Sequence, residues 1–160
     1  MRGKILFILF CILCLNISIC SAAKTVNADR AAIGGITTGS STEYTRSIYG
    51  EPNKIRSNEN DQSLETWFYG DSFQIDFVNG IASSVVSSGA NGLATPDGLT
   101  VGMKKSKVTS NYGKAQHIDK YGKRAIYSYQ VDNSANMVFV IRDGIITEIR
   151  INRVVSNENN

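Results

Sequence analysis

Trp67 and Tyr69 stand two residues apart, and Tyr127 and Tyr129 repeat that spacing farther along the chain. Alternate residues of a strand share a face, so each pair would offer two large rings to one side of a sheet, with Glu65 in phase with the first pair. Large rigid rings bury much area at low entropic cost and are typical contacts for a protein or a sugar. If Phe68 points inward with the row begun by Phe73, then Trp67, Tyr69 and Glu65 point outward as a contact patch, with Tyr127 and Tyr129 as its counterpart. The competing arrangement packs these rings against the other half of the chain or beneath the segment joining the halves.

Other residue types invite catalysis and fall short of it. Glu65, Asp71 and Asp76 lie close together in sequence, but a glycoside hydrolase needs two carboxyl groups facing one groove with their pKa values pushed apart. His117 is the one histidine, with Asp119 two positions on. A base and its orienter still require an activated nucleophile and oxyanion donors, and no serine sits in a nucleophile-elbow setting. A zinc site would have to draw its other ligands from acidic residues alone, and no acidic loop has calcium-ligand spacing. Residues 34–41, GGITTGSS, carry the glycine spacing of a phosphate-binding loop but serine where its lysine belongs. The chain reads as a non-enzyme without cofactor or metal.

The start of the chain explains its cysteines. Arg2 and Lys4 precede an apolar stretch over residues 5–19, and the small residues Ser21, Ala22 and Ala23 follow. That is the order of a secretory signal peptide, and the stretch of about 15 residues is short for a membrane span of roughly 20. Cys11, Cys14 and Cys20 all fall inside it, so a mature chain from Lys24 has no thiol, no disulfide and no membrane span. Ile19 directly before Cys20 fits a lipidation site poorly, which argues against a lipid anchor. Removing the signal takes away Arg2 and Lys4 and lowers the formal charge from +3 to +1. Charges of both signs are interspersed, which excludes the electrostatic footprint of a nucleic-acid binder. The expected location is extracytoplasmic, periplasmic or secreted.

An internal repeat organises the rest. Residues 35–52 (GITTGSSTEYTRSIYGEP) align with residues 98–115 (GLTVGMKKSKVTSNYGKA), and residues 73–85 (FQIDFVNGIASSV) with residues 137–149 (MVFVIRDGIITEI). Each opening stretch predicts a helix of about three turns ending at Gly50 or Gly113. Ser40 with Glu43 has capping-box spacing, and Tyr44 with Ile48, like Val108 with Tyr112, gives an apolar stripe. Phe73, Ile75 and Phe77 alternate with polar residues as a half-buried strand does, and Asn79-Gly80 and Asp143-Gly144 predict hairpin turns. Segments 64–69 and 125–131 supply a strand upstream of each hairpin, and 81–86 and 145–151 the returns. The predicted organisation is a signal peptide at 1–23, a first unit at 24–87, a linker at 88–98, a second unit at 99–154 and a polar tail at 155–160.

Glycine, a short helix, Tyr-Gly-x-Pro, then three strands closed by Asn-Gly or Asp-Gly: this order resembles the BamE-like (SmpA/OmlA) outer-membrane assembly lipoproteins. The duplication is similar to the tandem units of the beta-lactamase-inhibitor-protein fold. The resemblance implies an α+β fold of two tandem units, each a short helix or helix pair on a three-stranded antiparallel sheet. It also implies a role in binding proteins of the cell envelope. The expected partner is an envelope or extracellular protein, held through the aromatic sheet face. A carbohydrate or cell-wall ligand, a hydrolase of envelope polymers and an enzyme inhibitor remain as alternatives.

Overall fold

The computed structural model describes residues 25–154. The expected signal peptide, all three cysteines and the expected tail at 155–160 lie outside them. After one 3-10 turn at Ala28–Arg30, the chain forms α1 (Thr42–Tyr49), β1 (Lys54–Ser57), β2 (Leu64–Tyr69), β3 (Phe73–Val78) and β4 (Ile81–Ser87). It then repeats that order as α2 (Lys105–Tyr112), β5 (His117–Tyr121), β6 (Arg124–Val131), β7 (Ala135–Arg142) and β8 (Ile145–Arg153).

Local chemistry sets the turns and the helix ends. Asn79 and Gly80 have φ of 51° and 73°, and Asp143 and Gly144 have 50° and 78°. Successive positive φ values are what a two-residue hairpin twisted to match its strands requires. Ser41, one residue later than the expected cap, accepts from the Tyr44 amide at 3.1 Å and starts α1. Both helices close at a glycine whose N–H reaches back four residues, Gly50 to Arg46 at 2.8 Å and Gly113 to Thr109 at 2.9 Å. The expected stripe of α1 is turned outward. Tyr44 and Ile48 are exposed and Thr45 is buried instead, whereas Val108 and Tyr112 of α2 are buried.

All eight strands belong to one antiparallel sheet in the order β1-β2-β3-β4-β8-β7-β6-β5. This corrects the expectation of two units, each with its own three-stranded sheet. Each half contributes four strands, because β1 and β5 were not foreseen, and the halves share one continuous hydrogen-bonded ladder. The seam is β4 against β8, where Val86 pairs with Arg150, Val85 with Ile151 and Ser87 with Ile149. In the sequence alignment Val85 corresponds to Ile149, so the seam pairs each half with its own equivalent about an approximate two-fold axis. The two register shifts obey the same symmetry, one between Asp76 and Phe77 and the other between Val140 and Ile141.

Both helices cover the same face of the sheet. The Tyr49 ring of α1 lies 5.1 Å from Phe73, and the Tyr112 ring of α2 lies 5.5 Å from Phe139. Beneath them, Ile75, Phe77, Val85, Met137, Ile149 and Ile151 form one buried core. Residues 26–36 complete it: Ile33 and Ile36 are fully buried, and the Val26 amide donates to Gln130 O at 2.8 Å, adding a parallel bridge to Val131. Arg30 ties this segment to the expected linker through Asp97, with Nε 3.1 and 3.0 Å from the two carboxylate oxygens, and to the second half through Nη2, which donates to Asn111 O at 3.0 Å. Thr95 and Leu99, in and just after the expected linker, are also buried.

Candidate binding surfaces

The phase of β2 decides where the aromatic residues go. Its partners are Glu65 with Phe77, Trp67 with Ile75 and Tyr69 with Phe73, so these three share the core face and Phe68 the opposite one. The outward patch expected of them is the reverse of the arrangement that forms. Trp67 is 1% exposed, its ring 4.7 Å from Phe77, and Tyr127 and Tyr129 are 7% and 0% exposed. The tyrosine hydroxyls close the helix ends, Tyr69 donating to Gly50 O and Tyr129 to Gly113 O, each at 3.1 Å. Burial pushes the Tyr129 phenol up to about 12 and raises Tyr112 as well.

One pair from the expected set does come together. Trp67 Nε1 donates to Glu65 Oε2 at 2.9 Å, and Arg46 of α1 covers the indole with its guanidinium 4.4 Å from the ring centroid while its Nε bonds Glu51 at 3.1 Å. A shallow cleft of about 430 Å³ opens beside this group, between α1 and the β3–β4 hairpin. The corresponding positions in the second half, Thr109, Ala125 and Tyr127, carry neither the cation nor the carboxylate. With the indole face occupied by Arg46, no ring is free there for a sugar to stack on.

The remaining chemical candidates separate. Asp76 pairs with Thr66 and so faces away from Glu65; it accepts from Thr66 Oγ1 and Gln74 Nε2, each at 2.9 Å. Asp71 is in the exposed turn between β2 and β3. Glu65 and Asp76 both border one open cavity of about 340 Å³, but their side chains leave opposite faces of the sheet, and Asp71 is not part of its lining. His117 lies on edge strand β5 with its side chain 71% exposed, and its Nε2 is 3.0 Å from Asp119 Oδ1. In the glycine loop most amides are already taken: Gly34 donates to Ala94 O, Ile36 to Ile33 O, Thr37 to Ser40 Oγ, Gly39 to Ala82 O and Ser40 to Thr37 O, so these do not converge on a phosphate. Among the described residues no group of three or more His, Cys, Asp or Glu is placed to hold a metal.

The face away from the helices was missed by sequence reasoning. Register aligns Lys54, Phe68, Gln74, Val86, Arg150, Val138, Ser128 and His117 in one row across all eight strands, with the two-fold axis between Val86 and Arg150. The six inner members of that row are half-buried, although neither helix packs on this side. A neighbouring row is polar, Thr66, Asp76, Ser84, Asn152 and Asn136, and Ser84 Oγ donates to Asn152 Oδ1 at 3.1 Å. At the centre, Arg150 Nη2 bonds Glu148 at 2.6 Å while its Nε is buried with no protein partner among the described residues. The signal that could have found this face is the second period of the same strands, Leu64-Thr66-Phe68 against Glu65-Trp67-Tyr69.

At the β1 edge, Lys54 and Arg56 stand on this open face with Nζ 5.9 Å and Cζ 5.2 Å from the Phe68 ring centroid. Asn53, Lys54, Arg56, Phe68, Gly70 and Asp71 line an open cavity of about 500 Å³ there. At the opposite edge the equivalent positions are His117 and Asp119, which bond to each other.

No protein-family profile matches the chain, and no curated protein is recognisably similar to it in sequence. Among solved structures, the fold is similar to an extracellular protein containing an SCP domain from Bacillus anthracis str. Ames, with a TM-score of 0.50 and 16% identity over 84% of this chain and 50% of that one. The chain thus spans half the length of that protein, and the likeness is one of fold. Together with the single eight-stranded sheet, it overturns the resemblance to the BamE-like lipoproteins and to the beta-lactamase-inhibitor-protein tandem. The short motifs behind that resemblance, a glycine-ended helix and an Asn-Gly hairpin, encode local turns that many sheets use. Among the described residues no helix is long and apolar enough to cross a membrane.

Proposed function

We propose that this chain is an extracytoplasmic, non-catalytic binding module that engages a protein partner across the open face of its sheet. The observation that carries the reading is the one-sided architecture. Both helices and residues 26–36 pack on one face, and the other presents half-buried Phe68, Val86 and Val138 among polar neighbours from both halves. Apolar side chains spread among polar ones over a wide, shallow surface suit a protein contact more than a small ligand, which favours a deep concave pocket. The separation of Glu65 from Asp76 across the sheet supports a role without acid and base chemistry. The signal-like start of the chain and the extracellular fold neighbour both support a place outside the cytoplasm.

The polar row from Thr66 to Asn136 favours a second reading, a polysaccharide ligand bonded through hydroxyl, amide and carboxylate groups. Site-specific photocrosslinking separates the two. A crosslinker at Val138, compared with one at Ser47 on the exposed side of α1, should capture protein from the Val138 position alone. Capture from Ser47 alone, or protein-free polysaccharide retained by Val138, would count against the protein reading.

A further inference from the structure

We propose that the β1 edge is a docking site for an acidic, extended peptide segment, which adds to the sheet as a ninth strand and places carboxylates against Lys54 and Arg56. This names the chemistry of the partner in the binding role above and rests on that role. Strand β1 is the first in the sheet order, so its outer backbone groups have no strand partner, and all four of its residues are exposed. Such an edge is a template for another chain.

Its charges select which chain. Lys54 and Arg56 lie two residues apart on one face of the strand, a rise of about 6.6 Å, which matches acidic side chains at alternate positions of an added strand. Neither cation has an ion pair with a carboxylate among the described residues; their contact is with the Phe68 ring, at 5.9 and 5.2 Å. The ring holds the two cations over its face without neutralising them, and the cavity of about 500 Å³ leaves room for the incoming side chains. The second half supplies an internal control. At the equivalent edge, His117 and Asp119 satisfy each other at 3.0 Å, so the same scaffold position carries a closed pair on one side and an open cation pair on the other.

Lysine on an edge strand also serves to repel unwanted pairing, and the test separates the two roles by inverting the charge. The probe is a fluorescent synthetic peptide alternating threonine with glutamate, compared by anisotropy with its threonine-lysine counterpart and with a peptide of the same composition whose glutamates are contiguous. The full mature chain should bind the alternating acidic peptide at least about tenfold more tightly than either comparison, with affinity falling as salt rises. Amide exchange should slow in β1 on binding. K54E/R56E, both exposed positions, should keep the circular dichroism of the parent and transfer the preference to the lysine peptide. Failure of the parent and of K54E/R56E alike to bind either peptide would assign the cations to edge protection and overturn the proposal. Equal affinity for the contiguous peptide, or displacement by inorganic phosphate or phosphatidylglycerol vesicles, would overturn it in favour of a general anion site. If the parent binds the alternating acidic peptide as expected while crosslinking from Val138 yields nothing, the edge stands and the wider face reading falls.

Discussion

The two halves of the sheet hold corresponding helices by different means. In α1 the fourth residue is Thr45, buried with its hydroxyl donating to Ser41 O at 2.8 Å; in α2 it is Val108, buried with nothing to satisfy. Helix α1 has a side-chain cap from Ser41 and lays Arg46 over Trp67, whereas α2 begins at Lys104 with no side-chain cap bond and instead buries both Val108 and Tyr112. The first helix is thus fastened by polar contacts of its own side chains, and the second by apolar burial together with Arg30, which lies over the Tyr112 ring and donates to Asn111 O at 3.0 Å. What the halves share, the glycine stops, the hairpin turns, the paired bulges and the tyrosine hydroxyls on helix-end carbonyls, belongs to the fold. What they do not share is where a specific role is to be sought.

The largest expected effect is at Trp67. Trp67→Ala should cost about 3–5 kcal/mol in urea unfolding, because it empties a buried indole volume and also strands Glu65 and Arg46. An equal loss at Tyr127→Ala, the matching residue of the second half, would erase the contrast between polar and apolar fastening. Next comes Val108→Ala, at about 2 kcal/mol for two buried methyl groups and the space they leave. Thr45→Val should stay within about 1 kcal/mol, since it removes a hydroxyl while keeping the volume. Smaller still are the caps. Ser41→Ala should lose about 1 kcal/mol, and Lys104→Ser, at a residue already extended with φ −68° and ψ 142°, should gain up to about 1 kcal/mol.

The smallest effect at neutral pH is one that alkali enlarges. Burial favours the neutral phenol of Tyr129 and lifts its pKa from 10.0 to about 12. A raised folded-state pKa contributes stability fully present below the unfolded value, so that stability should be intact up to about pH 10 and drain away as pH climbs toward 12. Phenolate absorbance followed with near-ultraviolet circular dichroism should show ionisation and loss of packing together. Tyr129→Phe, lacking the titrating group, should flatten the curve; an unchanged alkaline transition would place its cause elsewhere.

Much of the fold was legible because it is written in periods and turns. The repeat, the positions of both helices and the β3–β4 and β7–β8 hairpins follow from glycines and alternation that local sterics enforce. Strands β1 and β5 were not legible. Lys-Ile-Arg-Ser and His-Ile-Asp-Lys-Tyr lie at the sheet edges and bury little, so neither carries the alternation that burial writes into a sequence. The union of the halves into one sheet was hidden for a related reason, since β4 and β8 read as ordinary returns and nothing local says that their free edges meet. The aromatic residues were assigned to the wrong face by a single step of phase. Leu64 to Tyr69 has apolar residues on both faces, so alternation alone left the choice open, and a one-residue shift exchanges every inward side chain for an outward one. Trp67 and Glu65 still proved to be neighbours, because two residues on a strand always share a face.

The seam between Val86 and Arg150 bears on how such a chain behaves when divided. Either half alone would expose the long edge of β4 or β8 with an apolar underside, a surface prone to pairing with its own kind. Because the seam joins equivalent residues about a two-fold axis, two copies of the first half could close an eight-stranded sheet by setting Val86 against Val86. The intact chain is, in this sense, a tethered version of a symmetric dimer, its linker making partner exchange between molecules unnecessary. Truncation should therefore convert a monomer-like scaffold into a concentration-dependent assembly rather than into a smaller stable domain.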